Sequence, residues 1–171
     1  SAASDVYKRQ MKYRSILELK NKIIELKKYD NVIVFTNGCF DILHKGHITY
    51  LSGARELGDY LIVGLNSDRS VTQIKGPERP INNQCFRSEK LLELNSVDDV
   101  IIFDEDTPQN LIHELQPNIL VKGGDYKKNE IVGAREVEKK GGEVVILPLV
   151  PGYSTTGIIK EKGLTGQDIT D

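Results

Sequence analysis

Residues 32–47 read VIVFTNGCFDILHKGH, a short apolar run followed by a turn and then by two closely spaced histidines. The run at 32–35 has the length and β-branched character of a buried strand. A turn at Asn37 and Gly38 ends it, and apolar residues at 48, 51, 54 and 57 then recur at helical spacing. This stretch therefore predicts a strand, a polar loop and a helix that ends at Gly58, the first unit of an α/β fold.

The same alternation continues along the chain. Ser15 precedes a helical pattern at 16–26, and further short apolar runs predict strands at 60–65, 100–103, 119–121 and 144–147. Helices are predicted at 83–94, at 109–115 with Thr107 as N-cap and Pro108 as first residue, at 132–140, and from near Thr155. This order implies a three-layer α/β/α Rossmann-like sandwich with a five-stranded, mainly parallel sheet. Ligands then bind at the carboxyl ends of the strands, so the loops after strands one, two, four and five are candidate sites.

The chain of 171 residues is long enough for one domain with its own core, which we expect at residues 11–160. Residues 11–30 would form an N-terminal helix that packs on this core. Residues 1–10 precede the single methionine, Met11, and resemble a translated adapter, so we interpret them as a non-native or disordered leader. The polar residues 161–171 are expected to form a flexible tail.

Composition narrows the class of protein. The formal net charge is −2, so no basic excess points to nucleic acid. No apolar run is long enough for a membrane span. Cys39 and Cys85 lie far apart, which argues against a disulfide framework or a zinc ribbon and fits a reducing compartment. We therefore expect a cytoplasmic protein that does not bind a membrane.

The loop at 36–47 combines the groups that bind an anion. Gly38 allows a phosphate to approach the backbone closely, and Lys45 adds a positive charge. His44 and His47 are three residues apart and share one face if a helix starts here, where free amides attract anions. Two alternatives stay open on these residues alone: Asp41, His44 and His47 could bind a metal, or both histidines could be buried structural residues. No Walker-type loop or Gly-x-Gly-x-x-Gly run decides among them.

Later motifs follow in a recognisable order. Asn66-Ser67-Asp68 comes after strand two, then Lys75-Gly76 with Arg79-Pro80, then 121–126 after strand four, then 152–156. With the His-x-Gly-His at 44–47, these motifs resemble the cytidylyltransferase-like nucleotidyltransferases over about residues 11–160. Within that family, the chain is most similar to the D-glycero-β-D-manno-heptose 1-phosphate adenylyltransferases, which occur alone or joined to a kinase.

The resemblance implies a role for each matching residue. His44, His47 and Lys75 would be catalytic. Asp41, Asn66, Asp68, Arg79 and Arg87 would bind the sugar phosphate, and Asp41 would help to place Mg²⁺. The residues that would bind the nucleotide are Thr36, Asn37, Gly38, Cys39, Phe40, Lys45, Lys122, Gly123, Gly124, Asp125, Ser154, Thr155 and Thr156.

The implied reaction transfers AMP from ATP to a heptose 1-phosphate and releases ADP-heptose and pyrophosphate. The first alternative is a cytidylyltransferase for glycerol 3-phosphate or a similar small phosphate, although the glycerol-phosphate relatives carry an arginine where this chain has Leu149-Val150-Pro151. The second alternative is a non-catalytic nucleotide-binding module. A further departure is Cys85-Phe86, which stands before Arg87 where relatives often have Glu-Gln. The resemblance also implies a homo-oligomer.

Overall fold

The computed structural model describes residues 15–124, 126–148 and 152. The predicted leader at 1–10, the tail at 161–171 and the last helix from Thr155 lie outside the described residues. So do the predicted site residues Asp125, Ser154, Thr155 and Thr156. In the described part of the chain, no helix is both long and apolar enough to span a membrane.

Five strands and six α-helices alternate along the described residues. The strands are β1 (Ile33–Gly38), β2 (Tyr60–Asn66), β3 (Asp99–Phe103), β4 (Ile119–Gly123) and β5 (Glu143–Leu147). The helices are α1 (Ile16–Lys28), α2 (Lys45–Glu56), α3 (Asp68–Lys75), α4 (Gln84–Leu92), α5 (Gln109–Leu115) and α6 (Ala134–Lys139). A short 3-10 helix covers Lys128–Glu130.

The strands form one sheet in the order β3-β2-β1-β4-β5, and every neighbouring pair is parallel. Successive residues of β1 belong to different cores: Ile33 and Phe35 pack with α1, α5 and α6, whereas Val34 packs with α2 and α4. Because successive side chains of a strand point to opposite faces, helices cover both faces of the sheet. The predicted Rossmann-like α/β fold with a parallel five-stranded sheet is confirmed.

Side-chain caps explain where several helices begin. Ser15 accepts a hydrogen bond from the Glu18 amide at the start of α1, and Asn83 does the same for Phe86 at α4. Two details differ from the sequence-based prediction. The helix α3 was expected only as a turn and helix start, and Pro108 rather than Thr107 occupies the N-cap position of α5. The Thr107 hydroxyl still accepts a bond from the Gln109 amide at 3.4 Å.

The strand order reverses direction between β1 and β4. The chain runs outward from β1 through β2 to β3, then crosses back to β4 and β5 on the other side. Such a reversal leaves a crevice at the carboxyl ends of the two central strands, where ligands of this fold bind. The sequence VIVFTNGCFDILHKGH crosses this edge, because β1 ends at Gly38 and α2 begins at Lys45.

Candidate functional site

The two central strands separate toward their carboxyl ends. In the described residues, β1 pairs with β4 at Val34 with Ile119 and at Phe35 with Leu120, while its pairing with β2 runs on to Gly38. Beyond Phe35, β1 and β4 line an opening that we call the β1–β4 crevice, bordered by residues 36–38 and 121–123. In this fold, ligands bind where the strand order reverses, at the carboxyl ends of such strands.

Tyr50 of α2 bridges the start of this crevice. Its hydroxyl lies 2.7 Å from Thr36 Oγ1 and donates to the Val121 carbonyl at 3.2 Å. Burial raises the pKa of Tyr50 to about 12, so the phenol keeps its proton at neutral pH. Since that one proton goes to Val121, the Thr36 hydroxyl donates to the Tyr50 oxygen. Tyr50 thus joins the two strands where their own pairing ends.

His44 and His47 lie together at the N-terminus of α2. His44 is the N-cap residue, and its Nδ1 accepts a hydrogen bond from the His47 amide at 3.3 Å. An accepting nitrogen carries no proton, so the proton of the neutral His44 ring is on Nε2. The two rings are stacked with centroids 3.8 Å apart and planes 19° apart. The sequence-based prediction that both histidines occupy one helix start is confirmed.

Phe40 shapes the loop that leads to these histidines. It has a left-handed backbone with φ 46°, which is unusual for a bulky residue. Its ring contacts the His47 ring edge-on at 5.3 Å. A Cβ at Gly38 would lie 2.9 Å from the Phe40 ring, so this packing allows only glycine at position 38. Packing against Gly38 and against the His47 ring therefore holds Phe40 in this strained conformation.

Lys122 extends from β4 across the crevice. Its Nζ donates to the Asn37 carbonyl of β1 at 3.4 Å and lies 5.9 Å from the centre of the Tyr126 ring. Burial lowers the pKa of Lys122, while the nearby Cys39 thiol acts in the opposite direction. The next residue is Gly123, whose Cβ, if it had one, would lie 3.2 Å from the Tyr50 ring. The crevice therefore contains a partly desolvated cation.

Asp41 forms a buried ion pair beneath the loop. Its Oδ2 accepts from Arg79 Nε at 2.9 Å, and both side chains are completely shielded from water. The same carboxylate accepts from the amides of Ile81 at 2.8 Å and Asn82 at 2.9 Å. Asn82 also donates through Nδ2 to the Asp41 carbonyl at 2.7 Å. These bonds attach the loop after β1 to the segment that precedes α4.

Arg87 of α4 forms a second buried junction. Its guanidinium donates to the carbonyls of Cys39 at 2.8 Å, Asn66 at 2.9 Å and Asn82 at 2.9 Å. A fourth bond, at 2.8 Å, reaches Asp68 in the first turn of α3. Arg87 is 1% exposed. It thus fixes the carboxyl ends of β1 and β2 to two helices.

A family model described as cytidylyltransferase-like matches residues 35–161. The chain belongs to the cytidylyltransferase-like family. Two curated relatives are named bifunctional protein HldE: the protein of Hyphomonas neptunium is 61% identical over 74% of this chain, and that of Nitrobacter hamburgensis is 56% identical over 77%. This chain spans 26% and 27% of those two proteins, about a quarter of their length.

Two solved structures are similar to this chain. The lipopolysaccharide core biosynthesis protein of Thermoplasma volcanium matches with a TM-score of 0.58 and 30% identity, over 70% of this chain and 97% of that one. Pantoate-beta-alanine ligase of Francisella tularensis matches with a TM-score of 0.58 and 17% identity, over 89% and 72% of the two chains. The second likeness concerns the fold alone.

In this cytidylyltransferase-like chain, the geometry does not favour the three-ligand metal site or a magnesium role for Asp41. Both Asp41 oxygens are already bonded to protein donors, so they do not fit as ligands for Mg²⁺. Among the described residues, no group of three or more His, Cys, Asp and Glu is arranged to hold a metal ion. Arg79, Arg87 and Asn66 are likewise committed to internal bonds, which suits a positioning role better than the predicted contact with substrate.

Three further predicted residues lie at the ends of α2, α3 and β4. Lys45 is the exposed first residue of α2, and Lys75 is the partly buried last residue of α3. Gly124 follows β4 with φ 97°, and its amide donates to the Leu147 carbonyl at 3.0 Å. Their predicted roles stay predictions.

Two residues of the site were missed from the sequence. In the sequence, Tyr50 appears as one more residue on an amphipathic helix, and the carbonyl that its hydroxyl contacts in β4 is 71 positions away. Asn82 precedes a helix start and was not distinguished from an ordinary turn residue. The signal for Tyr50 was its position six residues after His44, within two turns of the helix end that carries the histidines.

Proposed function

We propose that this chain transfers AMP from ATP to D-glycero-β-D-manno-heptose 1-phosphate and releases ADP-heptose and pyrophosphate. The single observation that carries the proposal is the stacked pair His44 and His47 at the N-terminus of α2, beside the reversal point of the sheet. The choice of substrates rests on the motif resemblance and on relatives named bifunctional protein HldE at 56–61% identity.

The chemical problem in this reaction is charge. The attacking group is a phosphate oxygen of the sugar phosphate, which is largely ionised near neutral pH because its second pKa is about 6. No general base is needed to activate it. Attack in line at the α-phosphorus forms the new P–O bond as the bond to pyrophosphate breaks. Two polyanions must approach each other, so catalysis depends on positioning and electrostatic stabilisation.

The end of α2 supplies this stabilisation. Because His44 uses Nδ1 to accept from the His47 amide, its Nε2–H is the group that can donate to a phosphate oxygen. The free amides of the first turn add partial positive charge. Lys45, the first residue of the helix, adds a full charge at the rim. In this proposal both histidines contact the phosphate chain and bind it most tightly in the transition state.

The buried arginines hold this machinery in place. Arg79 fixes Asp41, and Arg87 fixes the carbonyl of Cys39, so the loop between β1 and α2 is attached at two points. A catalytic group that is displaced by about 1 Å can cost 10²-fold in rate. We therefore assign Asp41, Arg79 and Arg87 to positioning of the loop.

The proposal is tested by a pyrophosphate-release assay with a small panel. ATP and CTP are each combined with heptose 1-phosphate and with glycerol 3-phosphate. Release that requires ATP and heptose 1-phosphate together supports the adenylyltransferase. Preferential turnover of CTP with glycerol 3-phosphate would establish the cytidylyltransferase instead. ATP binding without pyrophosphate release from any pair would leave the non-catalytic module. A cytoplasmic location and a homo-oligomer remain predictions.

A further inference from the structure

Lys122 has no carboxylate partner among the described residues. Its Nζ donates there to one carbonyl, that of Asn37 at 3.4 Å, lies 5.9 Å from the centre of the Tyr126 ring, and is within electrostatic range of the Cys39 thiol. A hydrogen bond of 3.4 Å is long, and a carbonyl carries only a partial charge. No carboxylate in residues 15–124 or 126–148 forms an ion pair with Lys122.

The unliganded protein gains little from this arrangement. Removing an ammonium group from water is unfavourable unless a charge or several hydrogen bonds compensate it. Burial lowers the pKa of Lys122, which is the signature of incomplete compensation. An apolar side chain of similar length would fill the same space without that desolvation. The charge itself therefore points to a ligand.

The position of Lys122 identifies the chemistry of that ligand. Its bond to Asn37 crosses the β1–β4 crevice, and the Cys39 thiol of the following loop is close enough to affect its charge. That loop leads directly to His44 and the N-terminus of α2. Tyr50 bridges the two strands, and Gly123 adds no side chain beside the Tyr50 ring. A cation at the carboxyl edge of the sheet matches an anion, and the anionic groups of the proposed substrates are their phosphoryl oxygens.

We propose that Lys122 binds a phosphoryl oxygen of a substrate in the β1–β4 crevice, with the Asn37 carbonyl as its partner when no ligand is bound. This deepens the proposed function and rests on it, because it moves Lys122 from the border of base and ribose to the charged reacting groups. The phosphoryl oxygen can belong to the nucleotide or to the sugar phosphate.

Ligand affinity in matched variants tests this proposal and separates the two sources. Lys122→Met keeps the length of the side chain and removes the charge. Calorimetry then measures the Kd of wild type and variant for ATP and, separately, for heptose 1-phosphate. A loss of at least tenfold for ATP assigns the oxygen to the nucleotide, and an equal loss for heptose 1-phosphate assigns it to the acceptor. Affinities within twofold of wild type for both ligands would overturn the proposal, as would a wild type that binds neither.

Lys27 provides the control. Burial also lowers the pKa of Lys27, and its Nζ donates to the Gln116 carbonyl at 2.7 Å, near the amino ends of β4 and β5. Lys27→Met should leave both Kd values unchanged. In the absence of ligand, the Tm of Lys122→Met should equal or exceed that of wild type, since an uncompensated charge has been removed. If Lys122→Met fails to fold, the Lys122 charge is needed for stability, which contradicts the proposal. Lys122→Arg keeps the charge and should keep most of the affinity.

A wild type that binds both ligands but releases no pyrophosphate would contradict the proposed reaction. The comparison of Kd values between wild type and Lys122→Met would remain valid. Conversely, full turnover by the wild type with unchanged affinities in Lys122→Met would sink the role of Lys122 and leave the reaction standing. The two failures are therefore distinguishable in the same set of preparations.

Discussion

The carboxylate of Asp41 and the guanidinium of Arg79 form an ion pair that is completely shielded from water, with Oδ2 and Nε 2.9 Å apart. The pair connects the loop before α2 with the segment before α4, and two backbone amides complete the bonding of the carboxylate. A pair buried this deeply cannot lose one partner without leaving an isolated charge in the interior. Its consequences for stability and for activity can be measured separately.

Asp41→Ala should lower the free energy of unfolding by about 3–5 kcal/mol, because Arg79 stays buried without its carboxylate. Chemical denaturation followed by circular dichroism measures this loss. Glu114→Ala is the control, since Glu114 pairs with Lys20 at 2.6 Å on the surface. A surface pair contributes little, so the control should unfold much like wild type. An equal effect of the two substitutions would contradict the role assigned to the buried pair.

His47→Ala should lower kcat by roughly 10²–10³-fold, the size expected for loss of one electrostatic donor. The KM for ATP should change less, because the stabilisation is greatest in the transition state. Steady-state pyrophosphate release gives both constants, and circular dichroism checks folding. A decrease of kcat below tenfold in a folded variant would remove His47 from the catalytic residues.

His44 combines a helix cap with the proposed phosphate contact, and two substitutions separate these roles. His44→Asn keeps an N-cap acceptor for the His47 amide, whereas His44→Ala removes it and should cost about 1 kcal/mol of stability. Both variants lose Nε2–H at its native position, so both should lose kcat by about 10²-fold. Full activity in His44→Asn together with loss in His44→Ala would show that capping is the whole contribution of His44.

Tyr50→Phe removes the hydroxyl that joins Thr36 to Val121. The crevice should then lose its fixed width, and the KM for ATP should rise at least several-fold. Tyr60→Phe is the matched control, because the Tyr60 hydroxyl bonds to Asp99 at the amino-terminal edge of the sheet, away from the site. Loss of a buried phenol bond should destabilise both variants by about 1–3 kcal/mol. A rise in KM that is equal in the two variants would indicate general loosening of the fold.

The lowered pKa of Lys122 gives stability a specific dependence on pH. The unfolded chain keeps the ordinary value of 10.5, so between the lowered value and 10.5 it binds more protons at Lys122 than the folded chain does. The Lys122 contribution to the free energy of unfolding therefore rises with pH across that window. Below the window, the full penalty of desolvating the Lys122 charge is present. Denaturation of wild type and Lys122→Met over a pH series measures the difference. Parallel curves for the two proteins would contradict the desolvation of Lys122.

The order of helices and strands could be read from the sequence because each strand is a short apolar run. Ser15 and Asn83 also marked helix starts correctly, as their side chains accept bonds from amides three residues on. The helix α3 was not predicted over its full length because its sequence, DRSVTQIK, is mostly polar and buries only Ser70 and Val71. Its amphipathic stripe is too narrow to show in a short window.

The sequence predicted where the candidate site lies in the fold, but it did not predict which of its side chains are bonded to one another. The reversal of strand order and the His-x-Gly-His loop both pointed to the carboxyl edge of the sheet, where His44, His47 and Lys122 lie. The resemblance implies that Asp41, Arg79 and Arg87 contact the substrate, and the sequence does not show that these three side chains are buried. Their partners come from segments 38 and 48 positions away, and such long-range pairs leave no local pattern.

In the described residues, β1 and β4 pair at only two positions, so we expect the sheet to open as two units of different size. Strands β3, β2 and β1 share long ladders, as do β4 and β5, but the two groups share backbone pairing only around Val34 and Phe35 within the described residues. Local unfolding should therefore follow this boundary. A substrate bound across this boundary would hold the two units together, so we expect substrate binding to increase the protection of β4 amides from hydrogen exchange.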